Sequence, residues 1–311
     1  MDDSTTSVSD RVRTACARVA GLSRSVKIAE PAIESYAAEL TSSPEQPPQA
    51  LPAADGDRES RAAFVICLDA INFGSGWWPT IRKRPGRSGY STIEAGLAER
   101  FRAKGPWPAQ ELARLTAAEI AAVTGQDRDH PLMEQYAGAL RDVGERVLAE
   151  HAGSFAAVVN AANGSAIGLA GLLAGWDAFA DVSTYHGRPV PFFKRAQIAA
   201  ADVDRFGVAK LRETERLTAF ADNLVPHVLR VDGVLCVDSA LEEAIDAGKL
   251  LVHGSAEEVE LRACAVHSIE LLCAATGGRL SPAQIDAALW NRGSGAPYKS
   301  RPRPRSRNTA Y

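Results

Sequence analysis

One carboxylate stands inside an apolar stretch, residues 217–230, and is the first candidate for chemistry. Asp222 is preceded by Leu-Thr-Ala-Phe-Ala and followed by Asn-Leu-Val-Pro-His-Val-Leu-Arg. Burying a charged side chain is costly unless a partner offsets the loss of water. Asp222 is therefore either a hydrogen-bonded structural residue or a carboxylate held ready to stabilise a cationic transition state. Phe220, two positions earlier, offers a flat ring on which a planar base could stack.

Two further groups of polar residues are candidates for ligand binding. Asp69 and Asn72 lie three positions apart in the apolar run 62–73, so a helix would place them on one face. Lys194 and Arg195 fall at the predicted start of a helix, where cations and free backbone N–H groups both favour phosphate. The alternatives are structural: Asp69 and Asn72 could satisfy backbone groups, and the cations could be solvated helix-end charges.

Composition and motifs exclude several functional classes. The chain has 311 residues and a formal net charge of −3, which gives no overall attraction to nucleic acid or to an anionic membrane. It contains no phosphate-binding loop, no dinucleotide fingerprint and no H-E-x-x-H motif. The five cysteines form no C-x-x-C pair. We therefore predict reduced core cysteines that form no zinc site, and a cytoplasmic protein without a signal peptide or membrane span.

The apolar spacing and capping signals predict a mainly α protein with few short strands. Residues 8–22 have helical periodicity, and residues 62–73 are apolar nearly all round, as in a buried helix. Capping boxes are predicted at four pairs: Ser91 with Glu94, Thr116 with Glu119, Ser255 with Glu258, and Ser281 with Gln284.

The remaining signals predict bends, short strands and a division of the chain. Pro226 predicts a bend in a helix, residues 233–237 are the best candidate strand, and residues 185–191 predict a short hairpin or loop. We predict one globular helical domain. In it, residues 1–57 form N-terminal helices and a Pro-rich loop packed on the core, and residues 58–311 form one continuous catalytic unit.

Several segments, taken in order, resemble one protein family. They are residues 68–73 (Leu-Asp-Ala-Ile-Asn-Phe), 87–90 (Arg-Ser-Gly-Tyr), 192–197 (Phe-Phe-Lys-Arg-Ala-Gln), 217–230, 254–263, and the closing Leu289-Trp290 with the Arg-rich end at Tyr311. Together these segments resemble the queuosine salvage protein family, the queuosine 5'-phosphate N-glycosylase/hydrolases. The resemblance runs from about residue 63 to the C-terminus and depends on the order of the motifs.

The resemblance implies a fold akin to the helix-hairpin-helix DNA glycosylases and a cofactor-free hydrolysis. The bond broken would join queuine, a 7-deazaguanine base, to the ribose of a nucleoside 5'-monophosphate, which frees queuine for salvage into tRNA modification. Asp222 occupies the position of the family's catalytic acid, and Phe220 that of a base-contacting residue. Lys194 would face the 5'-phosphate or ribose. Asp69, Asn72 and Tyr90 would help to form the pocket.

The sequence departs from the family pattern near its end. Asn291-Arg292 stands where family members can carry acidic and Tyr residues, so Asn291 is predicted to contact the substrate while the exact base is left open. A basic run suggests an alternative, a nucleic-acid glycosylase or binding protein. It consists of Lys299, Arg301, Arg303, Arg305 and Arg307. A non-catalytic nucleotide sensor is the other alternative. The preferred expectation is a monomer that acts on a small-molecule nucleotide without tight nucleic-acid binding.

Overall fold

The chain folds into helices with two small antiparallel pairings. A computed structural model describes residues 6–42 and 56–311. In these ranges the helices are α1 (Val8–Leu22), α2 (Glu30–Ser42), α3 (Arg58–Ala70), α4 (Gly89–Lys104), α5 (Ala109–Leu112), α6 (Ala117–Thr124), α7 (Pro131–His151), α8 (Phe155–Ala161), α9 (Ala166–Leu173), α10 (Lys194–Arg205), α11 (Leu224–Val231), α12 (Ser239–Asp246), α13 (Ala256–Ala275), α14 (Pro282–Arg292) and α15 (Ala296–Lys299). The strands are β1 (Val26–Ile28), β2 (Val182–Tyr185), β3 (Arg188–Pro191) and β4 (Leu235–Val237).

Local capping chemistry sets most helix starts. The predicted boxes at Thr116 with Glu119 and at Ser281 with Gln284 are confirmed. Ser255 caps α13 by accepting a hydrogen bond from the backbone N–H of Glu258. The box predicted at Ser91 is wrong by one turn, since α4 begins three residues earlier. Ser88 is its cap, and the Ser91 hydroxyl accepts from the Ser88 backbone N–H.

The segment around Asp222 is not one bent helix, so the prediction at Pro226 is wrong. Residues 217–223 form an irregular segment, and α11 begins at Leu224. Pro226 lies in the first turn of α11, where its missing N–H leaves no hydrogen bond unmade. Asp222 therefore lies just before a helix start, among the free N–H groups of the first turn.

Both predicted strand regions are confirmed. β4 lies within the predicted residues 233–237, and its partner β1 comes from the N-terminal part of the chain, with Val26 opposite Val237. β2 and β3 form the hairpin predicted at residues 185–191, although it starts three residues earlier, at Val182.

The core is organised around α13. This 20-residue helix is buried on almost every side and packs against α1, α2, α11, α14 and β1. A second contact brings α10 against α3 and α9. The C-terminal end of α3 thus meets the start of α10, where Lys194 donates to the carbonyl of Asn72. α1 and α2 pack directly on α13, while the predicted loop before Asp57 lies mostly outside the described residues.

The five cysteines are free thiols. Cys16, Cys67 and Cys264 are buried as predicted, and Cys273 is half-buried. Cys236 is exposed, because it lies on the outer face of β4, whose neighbouring residue Leu235 is buried. Across residues 6–42 and 56–311, no helix is both long and apolar enough to span a membrane.

The last residues of the chain, 300–311, wrap over the segment that carries Asp222, and we call them the C-terminal strap. The Asn223 side chain donates to the Pro304 carbonyl at 3.0 Å. The Leu251 N–H donates to the Arg305 carbonyl at 2.8 Å, and the Gly74 N–H to the Tyr311 carbonyl at 3.1 Å. The strap is therefore part of the fold and not a solvated basic tail.

Gly76→Ala is expected to loosen the strap. A Cβ at Gly76 would clash with the backbone carbonyl of Ser306, and backbone cannot move aside as cheaply as a side chain. We expect a loss of about 1–3 kcal/mol of unfolding free energy in urea titrations. Gly171→Ala is the matched control, because a Cβ there meets open space on α9 and should be neutral or stabilising by up to about 1 kcal/mol. Equal effects at both sites would contradict this role of Gly76.

Candidate active site

Asp222 is held by the start of α11. Its Oδ1 accepts hydrogen bonds from the N–H groups of Leu224 at 2.7 Å and Val225 at 3.0 Å. These bonds fix the carboxylate and place it at the positive end of a helix. Its Oδ2 accepts no hydrogen bond within the described part of the chain. Because the side chain is only partly buried, a carboxylate oxygen is left to interact with a ligand.

Lys194 supplies a positive charge beside Asp222. It is the first residue of α10 and is 5% exposed, and its Nζ donates to the Asn72 carbonyl at 2.8 Å and to Asn72 Oδ1 at 3.3 Å. Burial lowers the pKa of Lys194 to about 8, against the opposing attraction of Asp222. The ammonium is therefore mostly protonated at neutral pH and loses its charge in mildly alkaline solution.

Asp286 is a second carboxyl group near Asp222, and it was not predicted from the sequence. This buried residue of α14 accepts a hydrogen bond at Oδ2 from the Phe220 N–H, at 2.9 Å. Burial raises its pKa well above the usual range, and the negative charge of Asp222 raises it further. Asp286 could have been predicted from the sequence, because it is an acid on an otherwise apolar helix face, between Ile285 and Leu289.

The two carboxyl groups lie in different environments. Asp222 receives two N–H donors at a helix start, whereas Asp286 is buried with one. The two groups thus differ in burial and in hydrogen bonding, and hydrolysis of a glycosidic bond uses two carboxyl groups in different roles. Phe220 is half-buried next to both, with its backbone fixed by Asp286.

The C-terminal strap brings a guanidinium to the same place. Arg303 is half-buried, and its Nη2 donates to the Gly293 carbonyl at 2.9 Å. Burial lowers the pKa of Arg303, while its attraction to Asp222 works in the opposite direction. Asp222 is thus within electrostatic reach of two cations, Lys194 from α10 and Arg303 from the strap.

Arg262 fixes the backbone that leads into Asp222. It is buried on α13 and donates to both carboxylate oxygens of Asp181, at 3.0 and 2.7 Å. Its Nε donates to the Ala221 carbonyl at 3.0 Å. The guanidinium carbon lies 3.9 Å from the ring centroid of Phe192 and 4.5 Å from that of Tyr311. Arg262 thereby links α13, the hairpin end, the strap and the Asp222 segment.

A cavity of about 10 Å³ adjoins Asp222, which is room for about one water molecule. Besides Asp222, its walls include Pro226, Glu258, Arg262 and Tyr311. A water placed there would lie beside the carboxylate. The site thus offers a fixed anion and space for a nucleophilic water.

Asn72 connects this centre to another group of acids. Its Nδ2 donates to Asp69 Oδ1 at 3.3 Å, while its carbonyl and Oδ1 accept from Lys194. Asp69 also interacts electrostatically with Tyr90. Asp69 and Asn72 were predicted to share a helix face, but Asn72 lies just beyond the C-terminal end of α3. The two side chains still pair, because the chain continues in a tight turn after the helix.

The structure therefore brings most of the predicted site residues together. Asp222, Phe220, Lys194, Asn72, Asp69 and Tyr90 form one connected set. For Asn291, the described residues show no side-chain hydrogen bond or charge interaction with that set. Its neighbour Arg292 pairs instead with Asp232 at 3.2 Å and Glu39 at 2.7 Å. Arg292, where the sequence departs from the family pattern, thus forms an ion pair with Glu39 on α2. In the described ranges, no group of three or more His, Cys, Asp or Glu could hold a metal ion.

The fold and the site define a mainly helical protein with a fixed carboxylate, a buried second carboxyl and two cations. Over residues 52–310 the sequence matches the profile of the family described as "Queuosine salvage protein". The chain belongs to the queuosine salvage protein family.

The chain is similar to relatives from bacteria and eukaryotes, and each of these relatives is named "Queuosine 5'-phosphate N-glycosylase/hydrolase". The chain is 32% identical over 266 residues to the protein of Sphaerobacter thermophilus, covering 82% of each chain. It is 28% identical over 267 residues to that of Dictyostelium discoideum, covering 81% of this chain and 79% of the relative. It is 30% identical over 197 residues to that of Bos taurus, covering 58% of each.

Proposed function

We propose that this protein hydrolyses the N-glycosidic bond of queuosine 5'-monophosphate and releases queuine. Asp222, fixed at a helix start in a chain of this family, is the observation that carries the proposal. Water supplies the hydroxyl that bonds to the anomeric carbon, and a proton goes to the departing base. The products are ribose 5-phosphate and free queuine.

The residues divide the chemistry between two carboxyl groups. As the bond breaks, positive charge builds on the ribose, and Asp222 stabilises it. Asp286, whose pKa is raised by burial and by the charge of Asp222, is the proton donor for the leaving base. The water-sized cavity beside Asp222 holds the attacking water. Phe220 stacks on the base, Tyr90 and Asn291 contribute to its pocket, and the 5'-phosphate or ribose lies against Lys194.

Loss of the Lys194 charge is expected to set an alkaline limit to activity. The ammonium is present below its pKa of about 8 and absent above it, so kcat/KM for an anionic nucleotide falls as the pH rises through about 8. Lys194→Met should lower kcat/KM by about 10- to 100-fold at pH 7 and remove this alkaline fall. The measurement is a pH profile of queuine release.

Lys210→Met is the control for that profile. Lys210 is exposed and pairs with Asp204 at 3.2 Å, so its removal should leave both the rate and the profile unchanged. An alkaline fall at the same pH in Lys194→Met would assign the titration to another group.

The proposed function is tested by base release. Purified protein is incubated separately with queuosine 5'-monophosphate, queuosine and guanosine 5'-monophosphate, and the free base is quantified. We expect queuine from the nucleotide, less from the nucleoside and no guanine. If none of the three substrates released its base, the proposal would be refuted.

We also infer kinship with the helix-hairpin-helix DNA glycosylases, a monomeric state, a cytoplasmic location, and one catalytic unit over residues 58–311 with the N-terminal helices packed on it. The mainly helical architecture and the free cysteines support these inferences. Nucleic-acid binding by the basic run is not favoured, because Arg303 is engaged by the Gly293 carbonyl and the strap backbone is bonded to the core.

A further inference from the structure

Glu258 is a buried carboxylate at the edge of the candidate active site. It lies in the first turn of α13 and is 1% exposed. It also lines the water-sized cavity that adjoins Asp222. Because a carboxylate is costly to bury, the partners of its two oxygens have to account for that cost.

The hydrogen bond that holds Glu258 in the fold falls on one of these oxygens. Oε2 accepts from the Gly254 N–H at 3.0 Å and lies 3.6 Å from Nδ1 of His253. Oε1 is buried and has no hydrogen-bond partner among the described residues. Native proteins seldom leave a buried carboxylate oxygen unsatisfied. Oε1 is therefore able to accept a hydrogen bond from a molecule in the cavity.

The neighbouring side chains keep Glu258 charged without occupying Oε1. Nη1 of Arg262 is 3.9 Å from Oε1, which is an ion-pair distance but too long for a hydrogen bond. Burial and the charge of Glu258 raise the pKa of the Tyr311 phenol, so Tyr311 remains a neutral hydroxyl. Burial opposes the charge of Glu258, but its contacts with His253 and Arg262 outweigh burial and lower the pKa of the carboxyl. Glu258 is thus ionised at neutral pH and can accept a proton.

The cavity brings Glu258 and Asp222 to the same small space. Its volume of about 10 Å³ admits one water molecule and is far too small for a nucleotide. Oδ2 of Asp222 and Oε1 of Glu258 both lack a hydrogen bond within the described part of the chain. A water molecule has two O–H donors, one for each of these oxygens. The two carboxylates can therefore hold and orient a single water between them.

We propose that Glu258 is a catalytic residue, the general base that orients the water in this cavity and takes a proton from it during hydrolysis. This inference rests on the proposed function and adds a residue to its chemistry. As the water oxygen bonds to the anomeric carbon, one of its protons passes to Oε1. The electron pair of the glycosidic bond leaves with the base, which takes the proton of Asp286. Glu258 then loses a proton to solvent and Asp286 regains one, so the starting charges are restored.

This role of Glu258 differs from that of Asp222. Asp222 stabilises the charge that develops on the ribose, whereas Glu258 acts on the water and does not contact the nucleotide. Removal of the Glu258 carboxylate is therefore expected to slow turnover and to leave substrate affinity unchanged. A residue with a structural role alone would instead lower the stability and leave the turnover of the folded protein unchanged.

The first test is Glu258→Gln, which keeps the size of the side chain and an acceptor for the Gly254 N–H. We expect kcat for queuosine 5'-monophosphate to fall by about 10²- to 10³-fold. KM should stay within about threefold of wild type. Base release measures the two constants, and a thermal melt shows that the variant is folded.

Glu258→Asp is a second variant that retains the charge beside Arg262 if glutamine weakens the fold. It withdraws the carboxylate from the cavity by one methylene group. We expect kcat to fall by about 10-fold or more, because a small displacement of a catalytic group is enough to slow a reaction. A folded Glu258→Asp protein with the wild-type kcat would overturn the inference.

Glu260→Gln is the matched control. Glu260 is a buried carboxylate on the same helix, but its Oε2 accepts from the backbone N–H groups of residues 24–26, and it does not line the cavity. The folded control should keep kcat within about twofold of wild type. A fall in Glu258→Gln no larger than that in Glu260→Gln would overturn the inference.

Formate gives a readout that a structural role of Glu258 would not produce. Glu258→Ala removes the carboxylate and leaves room for a small one at the cavity. Sodium formate should raise its rate of base release by about 10-fold relative to the same concentration of sodium chloride. The rates of wild type and of Glu260→Ala should not respond.

The wild-type protein separates the two proposals. If wild type releases queuine and folded Glu258→Ala is not rescued by formate, the role of Glu258 is refuted and the proposed function stands. If wild type releases no base, the proposed function is refuted, and this inference with it.

Discussion

Replacing Asp222 by asparagine is expected to lower the rate of queuine release by about 10³-fold or more. Asparagine keeps an Oδ1 that can accept from the N–H groups of Leu224 and Val225, so the start of α11 is preserved. Only the negative charge is lost. Without it, the positive charge that develops on the ribose has no anion beside it. The measurement is single-turnover base release, together with a thermal melt to show that the variant is folded.

Asp238→Asn is the control for Asp222→Asn. Asp238 caps α12 by accepting from the Leu241 N–H at 2.8 Å, but its side chain is exposed and this bond involves no residue of the candidate site. Its variant should release queuine at the wild-type rate. A folded Asp222→Asn protein with more than a tenth of wild-type activity would show that Asp222 is a structural cap, the other interpretation that its sequence context allows.

Replacing Arg262 by methionine is expected to destabilise the protein by about 3–5 kcal/mol. Removing one partner of a buried ion pair leaves an uncompensated charge, here on Asp181, which is 3% exposed. The variant also loses the hydrogen bond to the Ala221 carbonyl and the contacts with Phe192 and Tyr311. Urea titration followed by circular dichroism measures the loss.

Two further variants separate the buried pair from ordinary surface charge. Arg146→Met removes an arginine that lies 2.9 Å from Glu150 on the exposed face of α7 and should cost less than about 1 kcal/mol. Arg262→Met combined with Asp181→Leu should recover part of the loss, because no unpaired charge remains. A loss at Arg262 no larger than at Arg146 would contradict its role as an anchor of the Asp222 segment.

Signals that act over one or two turns predicted local structure well. A hydroxyl three residues before a Glu or Gln gave the starts of α6 and α14, because both halves of a capping box come from adjacent residues. The same rule misplaced α4. Two serines three apart also form a reciprocal cap there, and tertiary packing of Gly89 under Trp78 leaves no room for a larger residue at the first helical position.

Part of the candidate site was also predictable. Asp222 could be predicted because a lone acid in an apolar segment is costly to bury unless it has a partner or a function. Lys194, Asn72 and Asp69 could be predicted from the motifs that carry the family resemblance. Asp286 and Arg262 were missed. Asp286 binds Phe220, which is 66 residues away along the chain, and Arg262 binds Ala221, which is 41 residues away. No local sequence pattern predicts contacts between residues so far apart.

The sequence by itself determined the helical class of this protein, several of its helix starts and the identity of its candidate acid, because periodicity, capping and the cost of a lone charge are local properties. Only the tertiary structure decided which charges meet. It placed Asp286 near Asp222, folded the basic end over the site, and turned Arg292 toward Asp232. Burial and long-range contacts set the free energy of a charged group, and both arise only when distant segments pack together.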